Sequence, residues 1–448
     1  MSNLECTSKI ADQATKRGLS TFILASSAMI MLWLAFPPLG WSVFGWIAMA
    51  PLVYLIVKPD NNVRRETWQL WLAGLLYWLV TFYFIPIPHP LLWAGWVAIS
   101  IYLACYLPAL VLLSRSLARN LHVPFVLAIP ASWVAMEFIR SYLLTGMGLV
   151  CLSHTQYRHP IVIQISDLSG AYTLSFAMAI VGTSLTLAIL NFRRQRLNCL
   201  VYLAIAGMII AGTLGYGTYR LNQFRHASDS SSTVRVVLVQ GSIDTVFPKT
   251  EAEQIEFRDR KIAQYEELTA NALKQWDRID LIVWPENGWS VPDLHPFTDV
   301  AKMKRTDVEL YRNASLYYWR RIFGVGGDAP YMFAGAITED PVADRSFGAA
   351  LCFAADGNIM GRYYKNHLVM FGEYIPGSSW IPGLQRIIRN LSAGTEPACW
   401  EISGIKFAPS ICFESTVPQY IRRQFNKLAE RGATPDVLVN MTNDGWFY

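Results

Sequence analysis

The chain has 448 residues, 53% of them hydrophobic and only 16% charged, a balance that excludes an ordinary soluble globule and suggests membrane segments. Its formal charge of +5 is unevenly placed, with 14 Lys and Arg against 6 Asp and Glu in residues 1–220 and 24 against 27 in residues 221–448. The surplus cation belongs to the apolar half and the other half has no basic stripe, so nucleic acid is set aside as a partner. The seven cysteines show no C-x-x-C spacing and the seven histidines no ligand spacing, so no disulfide framework, metal or other cofactor is expected.

Residues 1–18 are polar and carry Lys9, Lys16 and Arg17. Apolar segments follow at about 19–36, 41–57, 68–88, 91–113, 121–139, 171–191 and 199–219, most close to the length a spanning helix needs. A helical membrane domain of about seven spans is expected over 19–220. Pro124 and Pro130 make the fifth segment the weakest helix.

Loop charges set the orientation. Lys58, Arg64 and Arg65, then Arg115 and Arg119, then Arg193, Arg194 and Arg196 follow the second, fourth and sixth segments, while 37–40 and 86–90 carry none. By the positive-inside rule 1–18 is cytoplasmic and residue 220 emerges on the outer face. Glu137 and Arg140 are the one charged pair near a span, spaced to share a helix face. Two readings stand for them: an internal ion pair, or contact with a phospholipid headgroup. The 141–170 loop is too apolar to be solvated and reads as a re-entrant or surface-lying arm, or as packing against the bundle.

Residues 221–233 read as a polar, Ser-rich linker. From Val234 the pattern becomes short apolar runs between longer amphipathic ones: strands at 234–240, 281–284, 331–337, 347–354, 359–364, 406–412 and 437–441, and helices at 251–276, 300–323 and 419–431. Ala355-Asp356-Gly357-Asn358 is the turn of a hairpin. Strands alternating with helices predict a layered α/β domain over 234–448.

Three signals in that domain carry chemistry. Cys412 stands where a strand meets a turn, in Ser410-Ile411-Cys412-Phe413-Glu414. Glu286 leaves the apolar run Leu281–Pro285, and Lys365 closes Tyr363-Tyr364-Lys365. A free thiol is mostly protonated at neutral pH and needs a base or cation. Glu286 could take the proton, and Lys365 could stabilise a thiolate and then an oxyanion. Glu373, eight residues past the lysine, could orient it or accept a proton, and Glu414 could support the same network. Taken alone each has a mundane reading: a packed core thiol, a solvated lysine, a loop carboxylate. In this order and with these flanks they resemble the Glu-Lys-Cys constellation of the nitrilase superfamily.

The chain resembles the apolipoprotein N-acyltransferase family. The resemblance rests on Trp284-Pro285-Glu286, on Tyr363-Tyr364-Lys365, on His367 through Pro376, on Ile411-Cys412-Phe413-Glu414 and on Asn443-Asp444-Gly445-Trp446-Phe447. In the apolar half Glu137-Phe138-Ile139-Arg140 and Ser166-Asp167-Leu168-Ser169-Gly170 also match. It implies a multi-span α-helical membrane bundle joined to a nitrilase-like four-layer αββα sandwich. It implies an enzyme of the bacterial inner membrane, catalytic domain on the periplasmic face. There Cys412 would take an acyl chain from a phospholipid and pass it to the α-amine of a diacylglyceryl-cysteine lipoprotein, with Glu286 as base, Lys365 as oxyanion stabiliser and Glu373 and Glu414 in support. Met370 and Phe371 could line an acyl path, and a monomer is expected. The chain departs from the family pattern at Met370 (usually Pro), at Phe413 (usually Tyr), at Phe347-Gly348 (usually near an Asn-Ser pair) and at Val246-Phe247-Pro248 (usually containing a Trp). The family continues past the Asn-Asp-x-Trp-Phe motif, so the domain is expected to be C-terminally incomplete. Competing readings are a membrane-tethered amidase using the same thioester, and an inactive lipoprotein-binding remnant.

Overall fold

The computed structural model describes residues 20–59, 62–87, 92–193, 195–227, 233–243, 250–289, 316–324, 329–340, 345–370, 372–374, 391–443 and 445. The segment 1–18, residues 246–248, Phe371, Asp444, Trp446 and Phe447 lie outside them, as does most of the helix expected over 300–323, of which 316–323 is helical. The chain forms two compact units, Met1–Pro86 with Trp93–Ser231, and Ile87–Leu92 with Ser232–Tyr448.

Every apolar segment of the first unit is helical. In chain order the helices are α1 (Thr21–Ala35), α2 (Val43–Ile47), α3 (Met49–Val57), α4 (Val63–Thr81), α5 (Leu92–Ala104), α6 (Tyr106–Arg119) and α7 (Phe125–Tyr142). The arm that follows holds the single turns α8 (Pro160–Ile163) and α9 (Ser166–Ser169), and then come α10 (Ala171–Asn191) and α11 (Arg196–Ala227). Three helical stretches among the described residues, Leu92–Arg119, Ala171–Asn191 and Arg196–Arg225, are long and apolar enough to cross a membrane. The segments expected over 41–57 and 91–113 each break in two, at Ala48 and Cys105. Pro51 and Pro108 explain both: each lacks the N–H owed to the carbonyl four residues back, at Ile47 and Ala104, and its ring crowds that carbonyl.

Helix α10 is the core of this unit. Its Ser175, Ala179, Gly182, Thr183 and Ser184 are small and buried, which lets neighbouring backbones approach. A Cβ on Gly182 would lie 2.6 Å from the Trp46 carbonyl oxygen. By contrast only 17% of the apolar window of α11 is buried. That helix also runs to Ala227, into the expected linker. Arg220 bonds Gln223 and stacks 4.9 Å over the Phe224 ring, contacts at helical spacing that carry the helix onward. Glu137 and Arg140 are not the only charges placed between helices. Glu66 is buried between Lys58 at 3.0 Å and Arg115 at 2.8 Å, a cluster that joins three distant segments and has no sequence periodicity.

The second unit has two sheets. The first has the order β1 (Val236–Leu238), β2 (Leu281–Trp289), β3 (Tyr331–Asp340), β4 (Arg345–Phe353) and β5 (Ile359–Tyr364). Strands β1 to β3 run parallel, and β3, β4 and β5 antiparallel. The second sheet is β6 (Trp400–Ile402), β7 (Ile405–Ile411) and β8 (Val437–Met441). Strand β6 is too short for a pattern; it pairs with β7 across Ser403-Gly404, both at positive φ (51° and 79°) as a tight hairpin requires. Strand alternation splits the core. Ile282, Trp284, Met332 and Ala334 pack on one face of the first sheet with Tyr265 of α12 (Glu251–Gln275) and Trp319 of the 316–323 helix. Leu281, Val283, Phe333, Cys352 and Tyr363 face the other way, onto Phe407, Ile411, Val439 and Met441 of the second sheet. The parallel β7–β8 pair needs a crossover, supplied by α13 (Pro418–Glu430). Ala408 and Ser410, on the face of β7 turned from the inter-sheet core, are also buried, which places that helix over it. The layers are thus helix, sheet, sheet, helix.

Candidate active site

Glu286 is delivered by a bulge. Strands β2 and β3 pair in register up to Trp284 with Ala334 and resume at Trp289 with Ala336. Pro285 to Gly288 therefore stand against the single residue Gly335, and Asn287 adopts φ +56°. A Cβ on Gly335 would lie 2.4 Å from the Pro285 carbonyl oxygen and 2.6 Å from Glu286 Cα, so a glycine is what admits the bulge. Lys261 Nζ, from α12, donates to the Asn287 carbonyl at 2.7 Å and ties the bulge down.

Lys365 follows β5. Its N–H donates to the Gly348 carbonyl at 2.7 Å, and its own carbonyl accepts from Gly394 N–H at 2.9 Å. The side chain is fully buried. Its Nζ donates to Glu286 Oε1 at 3.0 Å and to Glu373 Oε1 at 2.7 Å. Glu373 Oε2 accepts from Val369 N–H at 2.8 Å, which fixes that carboxylate as an acceptor on both oxygens.

Cys412 ends β7 and opens a 3-10 turn, Cys412–Thr416. It sits at φ +53°, a region that side chains with a Cβ rarely adopt and whose strain marks functional positions. Glu286, Lys365 and Thr442 stand close enough to act on its thiol. Thr442 escapes sequence reasoning, yet its place follows from the ladder: Ile411 pairs in parallel with Met441, so residues 412 and 442 continue side by side.

The electrostatics are those of a desolvated cluster. Burial, and then the Glu286 charge, push the Cys412 thiol up to about 12, against the pull of Lys365 and Thr442. That direction favours the neutral thiol at rest. Burial alone would pull the Lys365 ammonium down, but Glu286, Cys412 and Glu373 outweigh it and the net direction is up. Burial raises Glu373, with Lys365 opposing.

Glu414 has a different task. Its carboxylate is fully buried and accepts from Ile411 N–H at 2.8 Å, Asn366 N–H at 2.7 Å, His367 N–H at 3.0 Å and the Tyr363 hydroxyl at 2.8 Å. Burial raises its pKa against those donors. One side chain thereby joins the turn holding Cys412 to the segment that follows Lys365.

Glu286, Lys365, Glu373 and Cys412 thus meet in one cluster, with Glu414 bracing two of its supports. Met370 is half-buried and bridges Tyr374. Glu137 and Arg140 belong to the first unit. Glu137 Oε1 accepts from Trp133 Nε1 at 2.8 Å and Leu152 N–H at 2.7 Å, while Arg140 Nη2 donates to the Leu149 and Val150 carbonyls at 2.9 and 3.1 Å. Both pin the arm that follows α7, whose Leu152, Thr155 and Gln156 are buried, so at that point the arm packs into the bundle.

The layered second unit belongs to a known class: residues 238–448 match the carbon-nitrogen hydrolase family, the class of the nitrilase-like fold. Residues 28–184 match the apolipoprotein N-acyltransferase N-terminal domain. An apolipoprotein N-acyltransferase of Rhodopirellula baltica is 30% identical over 475 residues, covering 95% of this chain and 81% of the relative. One of Geobacter metallireducens is 28% identical over 450 residues, covering 95% and 78%. Among solved structures, a Nesterenkonia amidase of the nitrilase superfamily aligns over 47% of this chain and 65% of its own at 16% identity, with a TM-score of 0.30. The chain belongs to the apolipoprotein N-acyltransferase family.

Proposed function

We propose that this acyltransferase moves an acyl chain from a phospholipid to the N-terminal α-amine of a diacylglyceryl-lipoprotein, through a thioester on Cys412. The observation that carries the reading is the buried Lys365 ammonium held between Glu286 at 3.0 Å and Glu373 at 2.7 Å, with the Cys412 thiol close enough to feel the charges of both Glu286 and Lys365.

A thiol held near 12 is ionised to about one part in 10⁵ at pH 7, so attack must coincide with proton removal. Glu286 accepts the S–H proton as sulfur bonds to the ester carbonyl carbon. The oxyanion so formed is stabilised by Lys365, a fixed cation in a dry site. When the carbonyl re-forms, the C–O bond breaks, the proton on Glu286 passes to the departing lysophospholipid oxygen, and the acyl thioester remains. The α-amine then attacks that thioester, Glu286 takes an amine proton, and the thiol regains it as the amide forms. Glu373 keeps Lys365 charged and oriented throughout. Both substrates are lipid-anchored, which suits a catalytic unit carried on an apolar helical one in the bacterial inner membrane and facing the periplasm, as the loop charges suggest.

The test is mass spectrometry of the full chain after incubation with phospholipid. An acyl adduct on Cys412, labile to hydroxylamine, absent in Cys412→Ala and discharged by a lipopeptide amine faster than by water, is expected. No adduct, or discharge to water alone, rejects the proposal.

A further inference from the structure

We propose that Tyr363 and Gln424 are positioning residues for acylation: through one polar network they keep Glu414 an acceptor on both oxygens, and so keep the Cys412 turn and the residues after Lys365 in register. The inference rests on the Cys412 thioester proposed above and names what holds that nucleophile in place.

Three polar side chains gather beside Glu414. Glu414 and Tyr363 are 0% and 1% exposed. Tyr363, from β5, places its hydroxyl 2.9 and 2.8 Å from the two Glu414 oxygens. Tyr420 and Gln424 lie four residues apart on α13, and thus on one helix face. The Tyr420 hydroxyl is 2.7 Å from that of Tyr363. Gln424 Nε2 donates to both hydroxyls, to Tyr363 at 2.7 Å.

The direction of these bonds is forced from one end. The Ile411, Asn366 and His367 N–H groups can only donate, so the Glu414 oxygens they face accept. The Tyr363 proton therefore points at Glu414, and the Tyr363 oxygen is left as an acceptor. The Tyr420 hydroxyl and the Gln424 amide fill its two lone pairs. Donors aligned in one direction polarise one another, so loss of an outer one weakens the hold on Glu414. Protonation of Glu414 would break the pattern, by aiming a hydrogen at groups that cannot accept it.

That break would reach both catalytic groups, because the one carboxylate binds the N–H before Cys412 and the two N–H groups after Lys365. The titratable groups turned to Glu414 are Tyr363 from β5 and Tyr420 from α13, and burial and then the Glu414 charge push both hydroxyls up, so both stay neutral. The His367 ring faces Phe413 and Tyr420, at 6.1 and 5.6 Å between centroids, and Lys365 Nζ is given to Glu286 and Glu373. Burial already raises Glu414, so each donor removed lets it take a proton at a higher pH.

The experiment uses the full chain and two readouts: single-turnover thioester formation on Cys412 from phospholipid across the acid limb of its pH profile, and amide hydrogen exchange. Tyr363→Phe keeps the ring and removes the donor. The pH at which acylation falls to half its plateau should rise by about 1, the equivalent of one hydrogen bond to a charged group. Gln424→Met, close in volume, should move it the same way by less, and carries the test by itself if Tyr363→Phe does not fold. The Ile411, Asn366 and His367 amides should exchange about fivefold faster in either variant, while those of β3 and β4 keep parental rates. An acid limb that stays in place overturns the proposal. So does faster exchange spread through β3 and β4, as simple loosening of the packing would give. If native Cys412 takes no acyl adduct at any pH, the thioester reading falls, and the exchange pattern alone then decides the clamp.

Discussion

Gly335→Ala tests the link between fold and chemistry most sharply. The added methyl would stand 2.4 Å from the Pro285 carbonyl oxygen, 2.6 Å from Glu286 Cα and 2.9 Å from Asn287 N, all backbone atoms with no rotamer to yield. Restoring ordinary contact, about 3.4 Å or more, requires the bulge to retreat by roughly 1 Å. A misplacement of that size at a reacting group costs about 10²-fold in rate, and overpacking costs about 1–3 kcal/mol in stability. Gly348→Ala is the control. Its methyl would meet Lys365 Cβ at 3.7 Å and Cδ at 3.8 Å, which is ordinary packing, so its rate should stay within about threefold of the parent. The assay is single-turnover formation of the Cys412 thioester from phospholipid, followed by intact mass, with thermal unfolding alongside. Parental acylation by Gly335→Ala, or a worse defect in Gly348→Ala, would refute the reasoning.

Glu286→Gln should move two measurements in opposite directions. Burial and the Glu286 charge hold the Cys412 thiol up, so removing the charge lowers it and iodoacetamide should alkylate Cys412 faster at pH 9, while acylation falls about 10²–10⁴-fold. A parallel fall in both would count against Glu286 as the base. Lys365→Met leaves Glu286 and Glu373 facing each other without their cation, and chemical denaturation should register a loss of about 3–5 kcal/mol. Glu414→Gln cannot accept from Ile411 N–H and the Asn366–His367 pair together. It should destabilise the protein by about 1–3 kcal/mol and slow acylation, whereas an unchanged unfolding midpoint would deny the clamp.

Sequence patterns revealed the elements because hydrophobic runs are local, and each of the seven apolar segments is helical. The two helix breaks were also local signals, each set by a proline three residues past the break, but segment length alone conceals them. The Glu66 ion cluster, Thr442 and the Gly335 cradle were not legible, since each joins residues brought together by register or packing. Glu286, Lys365, Glu373, Cys412 and Glu414 could be picked out by motif. Their division of labour could not: Glu373 touches the lysine, whereas Glu414 braces backbone. The positive φ at Cys412 falls on a residue whose type gives no hint of it, whereas asparagine, as at Asn287, visits that region more readily.

Two carboxylates around one lysine have a consequence for the barrier. A buried ammonium facing a single carboxylate would lose its charge compensation whenever that carboxylate took a proton. Here Glu373 holds Lys365 at 2.7 Å independently of Glu286, so in the proposed mechanism Glu286 is free to take and give a proton while the cation keeps a partner. In the proposed mechanism, counting both glutamates as carboxylates, Lys365 as an ammonium and Cys412 as a thiol, the formal charge of the cluster is −1. Passing the thiol proton to Glu286 leaves it at −1, and attack on the carbonyl moves that charge onto the new oxyanion beside Lys365. The negative charge changes atoms without any net charge entering or leaving a dry site, where an added charge would be most expensive. A thiol poised near 12 is then no obstacle to the proposed attack, because its proton would travel only to the neighbouring Glu286.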